Sequence, residues 1–236
     1  MRDPHTGKLM LNTHCPVPTE NTVDNPSVND ALTTKERIYR IAAELFAQKG
    51  FHATGMSDLE KATGLGRGAL YYHIGSKEEL LFNVTSRYLI SLNKIANDII
   101  DNKNKSAETK LREFSKMVMH TISNDLAELT VCFRETHSIV GNRRAELLEL
   151  HKNYEKHWRT LLQGLYKEKG VDNMSPLMVK AVLGMHHYSY LWLRPGSSES
   201  IDHIADYFSD FVMNQLKADF NAQVWYTYVD PPINNA

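Results

Sequence analysis

ATGMSDLEKATGLGRGALYYHIGSKEELL, residues 53–81, decides how the chain is read. Met56, Leu59 and Ala62 recur every three residues and so share one face of a short helix, for which Thr54 or Ser57 is the expected cap. Gly64 supplies the left-handed residue that stops this helix. After a turn through Leu65 and Gly66, Arg67 to His73 forms a second short helix. By spacing this is a helix-turn-helix with glycine in its turn. Ser76 to Glu79 then fits a capping box, [ST]-x-x-[DE], and opens a longer helix.

The second short helix carries the chemistry. Gly66, Gly68 and Ala69 leave its beginning almost free of bulk, so backbone can approach a groove wall. Arg67 there offers a donor fork suited to guanine or phosphate. Tyr71, Tyr72 and His73 add hydrogen-bonding tips, and Lys77 follows one turn later. The amides at the start of the next helix can also hold a phosphate.

Residues 34–81 resemble the DNA-binding domain of the tetracycline-repressor (TetR) family, and the specific part is GLGRGALYYHIGSKEELL, residues 64–81. The resemblance implies an all-α protein: an N-terminal three-helix helix-turn-helix domain, and a fourth helix leading into a C-terminal ligand-binding and dimerisation domain. The chain departs from the family pattern at two places. Gly66 stands where many relatives have Ser or Thr, and Glu60 stands where a small apolar residue is usual. Carried onto this chain, the DNA-binding residues are Thr54, Arg67, Gly68, Tyr71, Tyr72, His73 and Lys77. Thr54 is assigned to a phosphate at the start of helix two, Arg67 to a base or phosphate, and the two tyrosines, His73 and Lys77 to phosphates.

With 236 residues the chain can bury a sizeable core. At 42% hydrophobic and 23% charged it has an ordinary globular composition, and no uninterrupted apolar run is long enough to span a membrane. The absence of an apolar leader makes a cytoplasmic location the expectation. Cys15 and Cys132, the only cysteines, are read as free thiols. Over residues 34–80, seven basic side chains (Lys35, Arg37, Arg40, Lys49, Lys61, Arg67, Lys77) oppose six acidic ones (Glu36, Glu44, Asp58, Glu60, Glu78, Glu79), a balance of +1. Charge alone does not suggest nucleic acid. Binding must come from a few cations placed on one face.

Along the chain, residues 1–32 are rich in Asn, Thr and Pro, have no period, and are expected to form a disordered or loosely ordered arm. From Thr33 or Thr34 as cap, Ile38, Ile41, Ala42, Leu45 and Phe46 trace the stripe of helix one. Lys49-Gly50 ends it, and Phe51 plugs the three-helix core. Helix four runs from Ser76 with Leu81, Val84, Tyr88, Leu92, Ile95 and Ile99 on its stripe. Further helices are expected through Leu111 to Leu126, Leu129 to Val140, Gly141 to Gly170, and Leu177 to Leu193 after the Ser175-Pro176 start. The last of these is apolar nearly all round and is expected to be covered on more than one face. Arg194-Pro195-Gly196 is a stop. A final helix begins near Glu199 and carries Ile201, Ile204, Ala205, Phe208, Phe211 and Leu216. The domain boundaries follow: arm 1–32, helix-turn-helix domain 33–80, ligand-binding and dimerisation domain 81–218, tail 219–236. The two C-terminal helices carry enough apolar surface for an isologous homodimer interface.

Leu191-Trp192-Leu193-Arg194-Pro195-Gly196-Ser197 is similar to the Trp-x-Arg-Pro-Gly segment of the TetR branch that senses acyl-CoA thioesters, and Phe133-Arg134-Glu135 to Arg144 also has the look of that branch. This resemblance implies a small hydrophobic or acyl-CoA-type effector, with Arg134, His137, Trp158, His186, His187, Tyr190 and Trp192 as candidate ligand-binding residues. Helix termination explains Trp192 and Arg194 equally well. Of eleven histidines none forms an HxxxH pair, and adjacent His186 and His187 face about 100° apart, so no metal ligand set is expected. No nucleophile elbow, HExxH, Walker loop or dinucleotide fingerprint is present, so neither catalysis nor a cofactor is expected. The function implied is a ligand-responsive transcriptional regulator, a repressor in most of the family, binding palindromic double-stranded operator DNA as a homodimer, with no membrane partner. The alternatives are a helical sensory or interaction protein and a metal-responsive regulator.

Overall fold

The computed structural model describes residues 33–171, 173–193 and 199–221. The expectations for the arm 1–32, for Cys15, for the Arg194-Pro195-Gly196 stop and for the part of the tail beyond 221 lie outside the described residues. All regular structure among those residues is helical: α1 (Thr34–Lys49), α2 (Met56–Thr63), α3 (Arg67–Ile74), α4 (Lys77–Asp101), α5 (Ala107–Asn124), α6 (Leu126–Glu135), α7 (Gly141–Glu168), α8 (Pro176–Tyr188) and α9 (Ile201–Asn221). Single 3-10 turns follow α6 (Thr136–Ser138) and α8 (Ser189–Leu191). No helix among the described residues is long and apolar enough to cross a membrane.

Helix α1 begins at a reciprocal cap. The Glu36 amide donates to Thr33 Oγ1 at 3.2 Å while the Thr33 amide donates to Glu36 Oε2 at 2.9 Å. Its buried side chains are Ile38, Tyr39, Ala42, Ala43 and Phe46; Ile41 and Leu45 of the expected stripe are only half-buried, so the covered face is turned toward Tyr39 and Ala43. The reason is that α1 is covered twice, by α2 and α4 of the head and by α6 of the body. Phe51 is buried as expected, its ring edge-on to Phe46 at 5.4 Å. Burying a side chain of this size contributes about 1.5–3 kcal/mol.

Helix α4 starts on Ser76, whose Oγ accepts the Glu79 amide at 3.0 Å, and buries residues on several sides from Leu80 to Ile99. It runs from the head into the body, where it packs on α5, α6 and α7. The seam between α5 and α9 is apolar at its centre, with Phe114, Val118, Ile122, Ala205, Phe208 and Val212 buried. Along its edge, Arg112 bridges to Asp210 at 2.7 Å and Lys116 to Asp206 at 3.1 Å. Half-exposed pairs of this kind are worth about 0–1 kcal/mol, so the apolar seam holds the helices together.

Three expected boundaries shift. The helix placed over Leu111 to Leu126 ends at Asn124, because Asp125 leaves helical geometry at φ −113°, ψ 38°. The helix placed over Leu129 to Val140 is α6 plus a 3-10 turn, starting at Leu126 and ending at Ser138. The helix expected from Leu177 to Leu193 stops at Tyr188, and the remaining turn tightens to 3-10, where Ser189 accepts the Trp192 and Leu193 amides through its carbonyl. Its expected all-round cover is only partial within one chain: α8 buries Met178, Val179, Val182 and His186, while Leu177 and Tyr188 are exposed.

Candidate nucleic-acid interface

Helices α2 and α3 form the helix-turn-helix expected from the sequence. Gly64, at φ 70°, ψ 12°, is the left-handed stop of α2, and its amide donates to Glu60 O. The Thr63 hydroxyl donates to Leu59 O at 2.7 Å and accepts from the Leu65 amide at 3.3 Å, so the turn is tied from both sides. Helix α3 anchors itself by burying Leu70 and Ile74, one turn apart. That fixes which face is left over: Arg67, Gly68, Ala69, Tyr71 and Tyr72 are exposed, Tyr72 at 86% and Tyr71 at 41%.

The glycines on this face have no internal duty. A methyl group built at Gly66 or Gly68 would meet nothing within 4 Å. Gly66 is the N-cap of α3 with ordinary extended backbone at φ −68°, where Ser, Thr, Asp or Asn would stabilise the helix. Gly68, inside the helix, costs it about 0.5–1 kcal/mol relative to alanine. Neither glycine serves the packing of this chain. Their missing side chains leave a bare backbone edge facing outward.

The other expected DNA contacts divide. Arg67 is exposed, and its Nε donates to Glu60 Oε1 at 2.8 Å; that hydrogen bond raises the guanidinium's pKa above its ordinary value. The pair closes across the turn between α2 and α3. Glu60, noted in the sequence only as a departure, therefore orients Arg67. His73 is half-buried, its ring edge-on to Tyr72 at 5.3 Å. Lys77 is half-buried too, with Nζ 4.4 Å from the centre of the Phe51 ring. Thr54 must be corrected. It is fully buried, and its hydroxyl donates to Gly50 O at 2.8 Å, so it fastens the α1–α2 loop and is not presented to a phosphate. Nor does it cap α2. Gly55 occupies that position, its amide held by Asp58 Oδ2 at 2.8 Å.

Polar contacts tie the head to the body. Arg143 on α7 grips Glu79 through two bonds of 2.7 and 3.0 Å and lies over the Phe82 ring at 4.5 Å. The Phe51 amide donates to Glu135 at 3.1 Å, and Arg134 donates to Ala47 O at 3.3 Å. Arg87 on α4 meets Glu36 on α1 at 3.4 Å.

Of the candidate ligand-binding residues, Trp158 and His186 are buried inside the body, and the half-buried His187 and Tyr190 join them in one chain of ring contacts. The Trp158 and His186 rings are 4.7 Å apart, His187 stacks on Tyr154 at 5.5 Å, and Tyr190 stacks on Phe133 at 4.9 Å. His186 Nδ1 lies 2.8 Å from Val182 O and Nε2 lies 2.9 Å from the Ser115 hydroxyl. Since a carbonyl only accepts, Nδ1 carries the proton. Burial lowers the pKa of both His186 and His187 to about 4, so both rings are neutral near pH 7. Tyr154 Oη and Trp158 Nε1 are buried with no hydrogen-bond partner among the described residues. Cys132 is buried beside Tyr88 Oη at 3.4 Å, and burial raises its thiol pKa, so it is not poised as a nucleophile. Arg134, His137 and Trp192 do not join this group. Arg134 and His137 sit at the head–body junction, and Trp192 lies over α9, lining a cavity of about 510 Å³ with Leu193, His203, Tyr207 and Phe208.

Residues 38–84 match the family model of bacterial regulatory proteins of the tetR family, and residues 104–216 match that of the tetracyclin repressor-like C-terminal domain. The chain belongs to the TetR family. It is a DNA-binding regulator of transcription, with the helix-turn-helix in its N-terminal head. The HTH-type transcriptional repressor KstR2 of Rhodococcus jostii is 26% identical over 184 residues, 77% of this chain and 90% of the relative. Among solved structures, the TetR-family regulator PfmR of Thermus thermophilus is similar with a TM-score of 0.68 at 27% identity, over 75% of this chain and 97% of that one. AibR, crystallised with isovaleryl coenzyme A and operator DNA, shares the fold with a TM-score of 0.65 at 20% identity, over 76% of this chain and 97% of that one.

Proposed function

We propose that this TetR-family regulator is a homodimeric repressor that releases its operator when a hydrophobic acyl thioester or carboxylate fills the body. The observation that carries the DNA half is the outward face of α3, where Arg67, Tyr71 and Tyr72 flank glycines that no internal contact requires. In this reading Gly68 lets the helix backbone approach the major groove, and Arg67 exchanges its exposed bond to Glu60 for a base or phosphate. Tyr71 and Tyr72 donate to phosphates, with His73 and Lys77 beside them. Two heads read half-sites about 34–36 Å apart or a little wider.

The dimer is supported by the apolar side chains that α8 and α9 leave exposed, among them Leu177, Tyr188, Tyr207 and Phe211. Packing of this face on its own copy buries it by a twofold axis. The effector site is supported by the interior aromatic group around Trp158, His187 and Tyr190, where Tyr154 Oη and Trp158 Nε1 offer unused polar atoms. That AibR was crystallised with isovaleryl coenzyme A supports the thioester class. An effector must bind the DNA-incompetent arrangement more tightly, and a complete switch requires about 5.5 kcal/mol of difference. Helix α4 and the Arg143–Glu79 grip are the route by which the body moves the head.

The test is salt-dependent binding of the purified protein to DNA upstream of its own coding sequence, with and without acyl-CoA thioesters of graded chain length and the corresponding free acids. Tight, salt-dependent binding released by one thioester is the expected result. Specific binding that no thioester or acid releases would overturn the effector class, and absence of any specific binding would overturn the repressor reading.

A further inference from the structure

We propose that His52, Glu135 and His137 form a binding site for a divalent transition metal of the zinc, cobalt or nickel class at the junction of the DNA-binding head and the body. One ligand atom from each of the three side chains lies within 4.8 Å of the others. No sequence spacing announces the set. His52 belongs to the loop between α1 and α2, Glu135 ends α6, and His137 lies in the following 3-10 turn.

The donor chemistry selects the metal. Two imidazoles and one carboxylate suit zinc, cobalt and nickel and are poor hosts for calcium or magnesium, which require oxygen ligands. Three protein ligands leave at least one coordination position for water. Tetrahedral ligands with bonds of 2.0–2.1 Å stand about 3.3 Å apart, so no gap has to close by more than about 1.5 Å. His52 and His137 are exposed and can make that adjustment by rotating their side chains, with the ion entering from solvent. Glu135, half-buried, is the fixed member. Its Oε1 accepts the Phe51 amide at 3.1 Å, which orients the carboxylate, and Ser138 Oγ lies 3.0 Å from His52 Nε2 as an outer partner for that ring.

An ion held here would be a further tie between head and body, and a far stronger one than the 3.1 Å bond already crossing at the same place. It would stabilise the head position seen in this structure over any in which the Phe51-His52 loop has swung away from α6. The site stands independently of the effector proposed for the interior and of operator binding, since its three ligands touch neither the aromatic group nor the α3 face.

The test is titration of the metal-free full-length protein with Co²⁺, followed by its visible ligand-field absorption, with Zn²⁺ then used to displace it. A saturating band with one Co²⁺ per chain is expected. His52→Ala and His137→Ala should each weaken it about tenfold or more. Glu135→Gln keeps an acceptor for the Phe51 amide and should weaken binding likewise, while His120→Ala and His203→Ala, at exposed histidines on α5 and α9, should leave the curve unchanged. Unchanged circular dichroism melts of the metal-free variants separate loss of a ligand from loss of the fold. A titration of His52→Ala and His137→Ala that superimposes on the parent curve, or no band at all, overturns the site.

Discussion

Replacing Gly68 separates folding from DNA recognition. The residue lies in the first turn of α3, and a methyl built there meets nothing within 4 Å. Gly68→Ala therefore removes the helix penalty of glycine without a clash, stabilising the protein by about 0.5–1 kcal/mol. For a chain of this size that raises Tm by about 1–4 °C. Gly68→Leu, also a good helix former, should be at least as stable as the parent. On DNA the sign reverses. If the bare edge of α3 lies against the groove wall, each added carbon must be accommodated in a packed interface, at about 1–3 kcal/mol for overpacking. That is a loss of roughly 5- to 150-fold in operator affinity, larger for leucine than for alanine. Thermal melts and fluorescence anisotropy with a labelled operator duplex, on the same preparations, measure both quantities. Higher Tm with parental operator affinity in both variants would refute the argument that Gly68 is bare for the sake of DNA.

Tyr72→Ala should weaken binding to specific and unrelated duplexes alike by about 1.5–3 kcal/mol, the value of a hydrogen bond to a charged group, and a loss confined to one base position of the operator would give Tyr72 a reading role instead. His186 makes folding sensitive to acid: its pKa falls from 6.5 to about 4 on folding, so the unfolded chain binds the proton first and stability is lost as pH drops from about 6.5 toward 4. At pH 5 that loss is about 2 kcal/mol relative to pH 7.5, with His187 acting in the same direction, and urea midpoints against pH measure it. Glu128 has the opposite sign, since burial raises its carboxyl from 4.5 to about 7 and stability is lost as pH rises through that window. Glu128→Gln should stabilise by about 2–3 kcal/mol at pH 8 and by little at pH 4.5, read from the same urea curves. Phe211→Glu, at a side chain exposed within one chain, should convert the dimer to monomer in sedimentation equilibrium without lowering the helical content, and an unchanged mass would place the twofold contact elsewhere.

Much of this protein is legible without coordinates because the signals act over three or four residues. Gly64 is the kind of residue that takes φ 70° without strain, and Ser76 and Thr33 announce caps, so the helix-turn-helix follows from the chain itself. The all-α class follows from periodicity in the same way. The boundaries that moved are those where competition is not local: α8 tightens to 3-10 at Ser189, and α5 breaks at Asp125, within runs whose periodicity continues. Thr54 defeats the local rule because a threonine before a helix can either cap it or turn back on the preceding loop. The fold selects the buried option, with Gly50 O as acceptor.

Contacts between distant segments leave no mark on the sequence. Phe51 and Glu135 meet across 84 positions, His52 joins His137 beside them, and Arg143 reaches Glu79. Trp158, His187 and Tyr190 converge while Arg134, His137 and Trp192, drawn from the same set of candidates, go elsewhere. The face of a helix is set by a 3.6-residue period that any one segment displays, which is why the reading head and the helical class can be read directly from the order of residues. Which faces of different helices lie together depends on how all of them share one core, so the head–body joint and the residues assembled there emerge only once the helices are packed.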